Sequence, residues 1–431
     1  MSERQWKRLD ALERLGAGRL TTGEVGEVLH LSVRQVRRLR RRFERGGASA
    51  LLHGNRGRAP SNRTNGALCE RIVALRRKTY EGFNDQHFTE KLERVEGIAL
   101  SRSSVRRLLR AAGIGPPRRR RAPKHRRRRD RKPQAGLMIL WDGSRHDWLE
   151  GRGPLLCLIG AIDDASGEVL PGAHFVEQEC AAGYLRVLRA MAAEKGLPWS
   201  AYMDQHGSLK RNDVHWTFEE ERRGRQDPTQ VGRALELLEI EVIYALSPQA
   251  KGRVERLWGT LQDRLVSELR LAGASTAEDA NAVLARYRSE HNERFALHPA
   301  DATPAWRTVR RSTDLDRVCS FHYEATVLND NTVRLAGLVI DVPPGPRRRS
   351  YAGTRVELRQ LLDGSWRVYL SDQVIAQAAS SCTGELRALR RRRPPPSAAA
   401  VGKTSVALRA PSVSPTAVIA SPGGRTKSLN R

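Results

Sequence analysis

Three acidic residues occupy positions at which side chains from different elements can meet. Asp142 follows the apolar run 137–141, Asp204 follows the segment 199–203, and Glu255 lies in a segment whose apolar residues recur every three or four positions. Strand ends and a helix side can converge at one sheet edge, where three carboxylates can hold two divalent cations about 3.5–4 Å apart. Oxygen ligands favour Mg²⁺ or Mn²⁺, which can activate water or a 3′-hydroxyl against a phosphodiester. On pattern alone, aspartates that only cap turns are the commoner explanation.

The segments around these carboxylates predict an α/β domain. Two apolar strands, a third short strand and an amphipathic helix precede the strand that ends at Asp204. A helix, a strand and a long helix carrying Glu255 complete the order β-β-β-α-β-α-β-α. This is the order of a ribonuclease-H-like core, which we predict over residues 135–312. The predicted segments are 137–141, 155–162, 168–176, 183–194, 199–203, 231–238, 241–245 and 249–270.

The charge of the chain is strongly positive and unevenly distributed. The 431 residues include 76 Lys and Arg against 48 Asp and Glu, so the net charge is +28. Residues 1–136 and 311–431 are basic, whereas residues 137–310 contain more acidic than basic side chains. Basic flanks can neutralise phosphates, and a carboxylate-rich centre can hold metal ions. This balance predicts a nucleic-acid partner.

Residues 1–58 and 64–117 each predict a three-helix helix-turn-helix unit that binds DNA. In the first unit, Thr21 and Ser32 begin capping boxes, and a basic helix follows Ser32. Basic residues concentrate on the third helix of each unit, which is the helix that enters the major groove in this motif. Basic helices that face only solvent are the alternative. The cations predicted to bind DNA are Arg34, Arg37, Arg38, Arg41, Arg102, Arg106 and Arg107.

Three further segments flank the predicted core. Residues 118–134 are expected to form a basic linker that follows DNA phosphates, because so charged a run cannot bury a core. Six short strands within residues 318–378 predict a small β barrel. Residues 379–431 are rich in Arg, Pro, Ala and Ser without a period, which predicts a disordered tail. The chain is therefore predicted to be multidomain.

Four motifs surround the carboxylates: WDGS at 141–144, IDDASG at 162–167, YMDQHG at 202–207 and SPQAKGRVERLWGTLQ at 247–262. On these motifs residues 136–307 resemble the integrase-core (DDE) transposases, and the chain is most similar to bacterial insertion-sequence transposases of the ISNCY type, related to retroviral integrases. The resemblance implies that Asp142, Asp204 and Glu255 are the catalytic and metal-binding residues, with two Mg²⁺ or Mn²⁺ ions. It also implies that the C-terminal barrel is SH3-like.

Residues beside the carboxylates have two interpretations each. Lys251 and Arg253 are predicted to contact DNA, although Lys251 fits equally a cation that only begins the helix. Trp258 could stack on a splayed base or pack in the core. Asp163 and Asp164 are expected to shape the turn after the second strand rather than to bind metal.

The chain also departs from the integrase pattern. The stretch between Asp204 and Glu255 is longer than integrases usually have, and we interpret residues 210–229 as an insertion between a strand and a helix. Gln205 follows Asp204 where many integrases have Asn followed by Gly. No zinc domain precedes the core, and the two helix-turn-helix units take that place.

Taken together, the sequence predicts a transposase that binds the terminal repeats of its element and cleaves and joins DNA strands. We expect double-stranded DNA, as terminal repeats and as target, to be its partner, and we expect a homo-oligomer on the DNA. A non-catalytic DNA-binding regulator with a decayed core is the alternative, and the intact triad argues against it. Mg²⁺-dependent joining of DNA strands would distinguish the transposase from the regulator.

Other classes are disfavoured. No apolar run approaches the roughly 20 residues that a spanning helix needs, and residues 1–20 lack the apolar core of a signal peptide. The five cysteines are scattered, so neither a disulfide framework nor a zinc site is expected. Residues 402–404 lack the glycine spacing of a phosphate loop, so no nucleotide cofactor is expected. We expect a bacterial cytoplasmic protein associated with the nucleoid.

Overall fold

The computed structural model describes residues 3–52, 64–117, 129–211, 216–245, 252–379 and 384–386. The chain divides into two compact units, residues 1–318 and residues 319–431. Residues 118–128 of the predicted linker, and the predicted tail beyond residue 386, lie outside the described ranges. Within those ranges, no helix is both long enough and apolar enough to cross a bilayer.

The first three helices form a small bundle, as the sequence predicts. They are α1 (Glu3–Gly16), α2 (Thr22–Leu29) and α3 (Val33–Gly46). Both predicted capping boxes are present: Thr21 Oγ1 accepts from the Glu24 N–H at 3.3 Å, and the Ser32 hydroxyl accepts from the Gln35 N–H at the same distance. The apolar side chains of all three helices share one core, which leaves the arginines of α3 outside. The buried residues of this core are Leu9, Ala11, Leu12, Leu15, Val25, Val36 and Leu51.

A second three-helix bundle follows. It consists of α4 (Gly66–Lys78), α5 (Asp85–Arg94) and α6 (Arg102–Ala111). Asn84 and Ser101 cap α5 and α6, because their side-chain oxygens accept backbone N–H groups that the first helical turn leaves without partners. Three aromatic rings dominate its core together with aliphatic residues of α4 and α6: Tyr80, Phe83 and Phe88.

A five-stranded sheet forms the centre of the first unit. Its strands are β1 (Met138–His146), β2 (Leu156–Asp163), β3 (His174–Val176), β4 (Ser200–Met203) and β5 (Glu241–Tyr244). The spatial order is β3-β2-β1-β4-β5. Strands β1, β2 and β3 pair antiparallel, whereas β1, β4 and β5 pair parallel. The five strands occur in the predicted order along the chain, and the first three are antiparallel as predicted.

Helices cover both faces of this sheet. One face carries α7 (Ala181–Glu194), and the other carries α10 (Gly252–Leu271) and α11 (Ala277–Phe295). Every residue of β2 is consequently buried, as expected for a strand covered on both sides. This is the ribonuclease-H-like fold that the sequence predicts. Helix α11 was not predicted.

Two further helices lie between β4 and β5. They are α8 (Phe218–Arg223), which falls in the predicted insertion, and α9 (Gln230–Leu237). The buried Glu220 organises the insertion, because its carboxylate accepts from the N–H groups of Thr217 and Asp227 and pairs with Arg211. These hydrogen bonds, from Thr217 first, lower the pKa of Glu220 to about 2. The insertion is therefore an ordered element where it is described.

The second unit is a small β domain, which follows the short helix α12 (Leu315–Val318). Its four-stranded sheet has the order β11-β10-β9-β6, and β7 pairs with β8. One apolar core, centred on Trp366, joins the two sheets. All six predicted strands are present. Their bounds are β6 (Phe321–Thr326), β7 (Thr332–Leu335), β8 (Leu338–Asp341), β9 (Arg355–Gln360), β10 (Trp366–Leu370) and β11 (Gln373–Ala378).

Candidate active site

The first two predicted carboxylates lie on neighbouring strands. Contrary to the predicted strand 137–141, β1 continues to His146, so Asp142 lies inside β1, whereas Asp204 directly follows β4. In the parallel pairing of β1 with β4, Leu140 is the partner of Tyr202. Extending this register by two residues sets Asp142 beside Asp204, on strands that are spaced about 4.8 Å apart. Both side chains are half-buried. The parallel pairing therefore brings together two residues that are remote in the sequence.

Hydrogen bonds fix one oxygen of each of these aspartates. Oδ2 of Asp142 accepts from Nε1 of Trp258 on α10 at 3.0 Å. Oδ1 of Asp204 accepts from the backbone N–H of His206 at 2.9 Å. Trp258 is only 7% exposed and belongs to the core beneath the sheet edge, so core packing is its observed environment.

Glu255 lies in the first turn of α10 and is exposed. It precedes Trp258 by three residues, which places the two on the same side of the helix, about 4.5 Å apart along its axis. Because Trp258 contacts Asp142, Glu255 lies about one helical turn before a residue that touches the first carboxylate. Among the described residues, however, no group of three or more Asp, Glu, His or Cys side chains is close enough to hold a metal ion.

A fourth carboxylate at this edge was not predicted. Glu179 precedes α7, accepts a hydrogen bond from the hydroxyl of Tyr184 and lies 3.4 Å from Nδ1 of His206. Burial, followed by the charge of Glu179, raises the pKa of Tyr184 well above its ordinary value, so this hydroxyl remains a donor. The only sequence signal was an acidic residue between β3 and the following helix, which is too common to be diagnostic.

Asp163 stabilises the turn after β2, as expected, whereas the carboxylate of Asp164 contacts Arg129, Lys132 and Arg253 outside that turn. Asp163 accepts from the N–H groups of Gly136 and Ser166, both at 2.8 Å. Burial nevertheless raises the pKa of Asp163. Burial acts in the same direction on Asp164, but the hydrogen bonds from Arg129 and from the Lys132 N–H outweigh it and lower the pKa of that carboxyl.

Arg253 has a structural partner. Its guanidinium pairs with the fully buried carboxylate of Asp164 and also donates to the carbonyl of Arg129, and its side chain is only 13% exposed. Residues 129–132, at the end of the predicted linker, therefore contact the core through Asp164. Lys251 lies outside the described residues.

The cations predicted on the two third helices are all exposed. None of the seven is used in the apolar cores of the bundles. Neighbouring arginines have intramolecular partners instead: Arg40 donates to Glu44 at 2.7 Å, and Arg110 donates to Asp85 at 2.7 Å. The exposed set is Arg34, Arg37, Arg38 and Arg41 on α3, and Arg102, Arg106 and Arg107 on α6.

The second bundle packs against the helices of the core through charged residues. Glu90 of α5 accepts from both terminal nitrogens of Arg264, at 2.7 and 3.2 Å, and pairs with Arg294. Glu268 of α10 accepts from Lys91 at 2.8 Å and contacts Nε2 of His87 at 2.7 Å. The second bundle is thereby attached to the helix that carries Glu255.

These features define a ribonuclease-H-like core preceded by two helix-turn-helix units. Comparison with known families agrees: a helix-turn-helix domain family matches residues 7–59, and a homeodomain-like domain family matches residues 35–109.

Integrase structures are among the similar folds. A chain of the simian T-cell lymphotropic virus intasome is 16% identical, with a TM-score of 0.29 and coverage of 72% of this chain and 99% of that one. The HTLV-2 integrase catalytic core domain is also 16% identical, with a TM-score of 0.24 and coverage of 35% and 85%.

Two relatives assign the family. A protein of Sinorhizobium fredii (strain NBRC 101917 / NGR234) designated as a transposase, y4bF, is 34% identical over 397 residues, which cover 88% of this chain and 84% of that protein. The transposase for insertion sequence IS1202 of Streptococcus pneumoniae is 34% identical over 324 residues, with coverage of 67% and 68%. The chain belongs to this family of transposases, and it is an enzyme of the polynucleotidyl-transferase type.

Proposed function

We propose that Asp142, Asp204 and Glu255 are the DDE triad of this transposase, and that they cut and join DNA strands with two Mg²⁺ or Mn²⁺ ions. The observation that carries the proposal is the parallel register of β1 and β4, because its extension by two residues puts Asp142 beside Asp204. Trp258 supports it, because its hydrogen bond to Asp142 joins α10, the helix that carries Glu255, to the strand that carries Asp142.

The donor chemistry of the site fits such ions. All three side chains offer carboxylate oxygens, which are the ligands that Mg²⁺ and Mn²⁺ prefer. When bound, a pair of these ions supplies activation of the attacking hydroxyl and neutralisation of the leaving oxygen. The protein's own part is to orient the carboxylates: Trp258 fixes one oxygen of Asp142, and the His206 N–H fixes one oxygen of Asp204.

DNA recognition is assigned to the third helices of the two N-terminal bundles. Exposed arginines on α3 and α6 bind the terminal repeats, while the basic linker between the bundles and the core adds contacts to phosphates. The target DNA then meets the same sheet edge. Joining two element ends requires more than one subunit, so the active species is a homo-oligomer that works at the bacterial nucleoid.

The test is a set of isosteric substitutions in the full-length protein. Asp142→Asn, Asp204→Asn and Glu255→Gln should each reduce Mg²⁺-dependent cleavage and joining by more than about a hundredfold. Binding to a terminal-repeat duplex in a gel-shift assay should stay unchanged, because the arginines of α3 and α6 are untouched. Glu278→Gln, an exposed carboxamide substitution on α11, is the matched control and should keep full activity.

Two outcomes would contradict the assignment. A Glu255→Gln protein that still joins strands would show that Glu255 is not a metal ligand. A wild-type protein that binds the repeats but neither cuts nor joins them with Mg²⁺ or Mn²⁺ would instead be a DNA-binding regulator.

A further inference from the structure

We propose that Glu179 is a positioning residue of the catalytic centre, which orients Asp204 through His206. The inference rests on the proposed triad and adds to it a residue outside the three carboxylates. Three contacts of Glu179 support it, and they are with Tyr184 of α7, Gly143 of β1 and His206 in the loop after β4.

The first contact of Glu179 is a hydrogen bond from Tyr184 of α7. The hydroxyl of Tyr184, a fully buried residue of α7, donates to Oε1 of Glu179. The Tyr184 ring also packs edge-on against Trp141, with ring centroids 5.3 Å apart. The carboxylate is thus held beside the middle of β1 by a fully buried side chain.

The second contact is with the residue after Asp142. A Cβ atom at Gly143 would lie 2.7 Å from Cδ of Glu179, closer than any side-chain carbon tolerates. Glycine at position 143 therefore leaves room for this carboxylate beside β1 where it hydrogen-bonds Tyr184. Glu179 and Gly143 therefore lie side by side, with the carboxylate packed against the backbone of the glycine.

The third contact reaches the loop that follows β4. Oε1 of Glu179 lies 3.4 Å from Nδ1 of His206, and the backbone N–H of the same histidine donates to Oδ1 of Asp204 at 2.9 Å. The same Nδ1 atom accepts from the Ser208 N–H at 3.4 Å, so Glu179 contacts the ring of the histidine whose backbone N–H orients Asp204. Glu179 therefore lies between β1 and the loop after β4, the two segments that carry the first two carboxylates.

Glu179 and Asp142 lie on opposite faces of the sheet, so the positioning role of Glu179 is distinct from metal binding. Trp141 packs on Tyr184 of α7, whereas the next residue, Asp142, contacts Trp258 of α10. Successive side chains of a strand point to opposite faces. Because Glu179 is held on the α7 side, it acts on Asp204 through His206, and the metal ions are left to the three carboxylates.

A double-mutant cycle in the full-length protein tests the role. Glu179→Gln keeps an acceptor for Tyr184 but removes the charge that faces His206, and His206→Ala removes the ring but keeps the backbone N–H. Each single variant should slow DNA cleavage about tenfold at saturating Mg²⁺ and raise the Mg²⁺ concentration at half-maximal rate. The double variant should be no slower than the slower single variant.

Controls make each result decisive. Glu177→Gln changes an exposed carboxylate two residues away and should leave both quantities unchanged. Melting curves and binding to the terminal-repeat duplex confirm that the variants fold. Effects of Glu179→Gln and His206→Ala that multiply would overturn the proposal, as would a Glu179→Gln protein with wild-type rate and Mg²⁺ dependence.

Asp204→Asn, measured in parallel, separates this inference from the triad on which it rests. If Asp204→Asn remains active, the triad is wrong and the role of Glu179 goes with it. If Asp204→Asn is inactive while Glu179→Gln behaves as the wild type, only the positioning role of Glu179 is wrong.

Discussion

Nε1 of Trp258 donates a hydrogen bond to Oδ2 of Asp142 at 3.0 Å, and this bond joins the helix of the third carboxylate to the strand of the first. The indole also packs over Gly160, the β2 partner of Asp142, where a Cβ atom would lie 3.4 Å from the ring. Trp258 therefore sets both the height of α10 above the sheet and the orientation of Asp142.

Trp258→Phe should reduce the rate of strand cleavage by about tenfold or more, because a hydrogen bond to a charged group is lost while most of the packing is kept. The measurement is a single-turnover cleavage assay at saturating Mg²⁺. Trp148→Phe is the matched control, since this buried indole of the same core donates to the Ser144 carbonyl instead. Equal losses in the two variants would mean that Trp258 serves packing alone.

Arginine substitutions on α3 should weaken DNA binding in a salt-dependent way. Replacing Arg37 and Arg38 with Gln removes two exposed cations of the proposed reading helix. If both bind phosphates, the slope of log K against log salt should fall by about 0.9 for each. Arg14→Gln on α1 is the control, because Arg14 is paired with Asp10 at 3.1 Å. An unchanged slope in the Arg37 and Arg38 variants would remove α3 from the DNA interface.

The stability of the first unit should fall in acid because of His291. Burial, followed by the charge of Arg264, lowers the pKa of His291 from 6.5 to about 4. The stabilisation from a neutral His291 is therefore complete above pH 6.5 and is lost as the pH falls towards 4. The loss amounts to about 3 kcal/mol in the free energy of unfolding.

Urea unfolding at pH 7 and pH 4.5 measures this difference. His291→Leu should unfold with a smaller pH dependence than the wild type, while His298→Gln, a change at an exposed histidine, should match the wild type. Burial also lowers the pKa of His87, so some pH dependence should remain in both variants. An identical pH dependence in His291→Leu and wild type would contradict the assignment.

The contact between the second bundle and the core should depend on Glu90. Glu90→Gln leaves the largely buried Arg264 and its neighbour Arg294 without a carboxylate, which should cost about 3 kcal/mol in the free energy of unfolding. Hydrogen exchange of the α5 amides should accelerate. Glu93→Gln, one turn further along the same helix and exposed, should leave the exchange unchanged. Equal exchange in Glu90→Gln and wild type would show that Glu90 does not hold the bundle in place.

Local patterns predicted the helices and strands that position the site. Thr21 and Ser32 begin capping boxes that depend only on residues three positions away, and both are present. Apolar runs likewise marked β1 and β4, but the prediction ended β1 at residue 141 whereas the strand continues to His146. The parallel pairing of the two strands was learned only from the structure.

Contacts between residues far apart in the sequence were not predictable in this way. Arg253 was predicted to contact DNA, but it pairs with Asp164, a residue 89 positions earlier. Glu179 gains its environment from Gly143 and His206, which lie on other elements. Glu90 and Arg264, charged residues that pattern alone assigns to solvent, instead face each other between two domains. In each case a single sequence shows the residue type but not the partner that defines its role.

Helix α5 is attached near the C-terminal end of α10, whereas Glu255 lies near its N-terminal end, so α10 sets a fixed distance between the two. From Glu255 to Glu268, where Lys91 is bound, α10 rises about 20 Å. If α6 reads the DNA end that the same subunit cuts, as proposed, α10 would fix the distance between the bases that α6 contacts and the scissile phosphate. Lengthening that interval by about five base pairs, half a helical turn, would carry the scissile phosphate to the opposite side of the duplex.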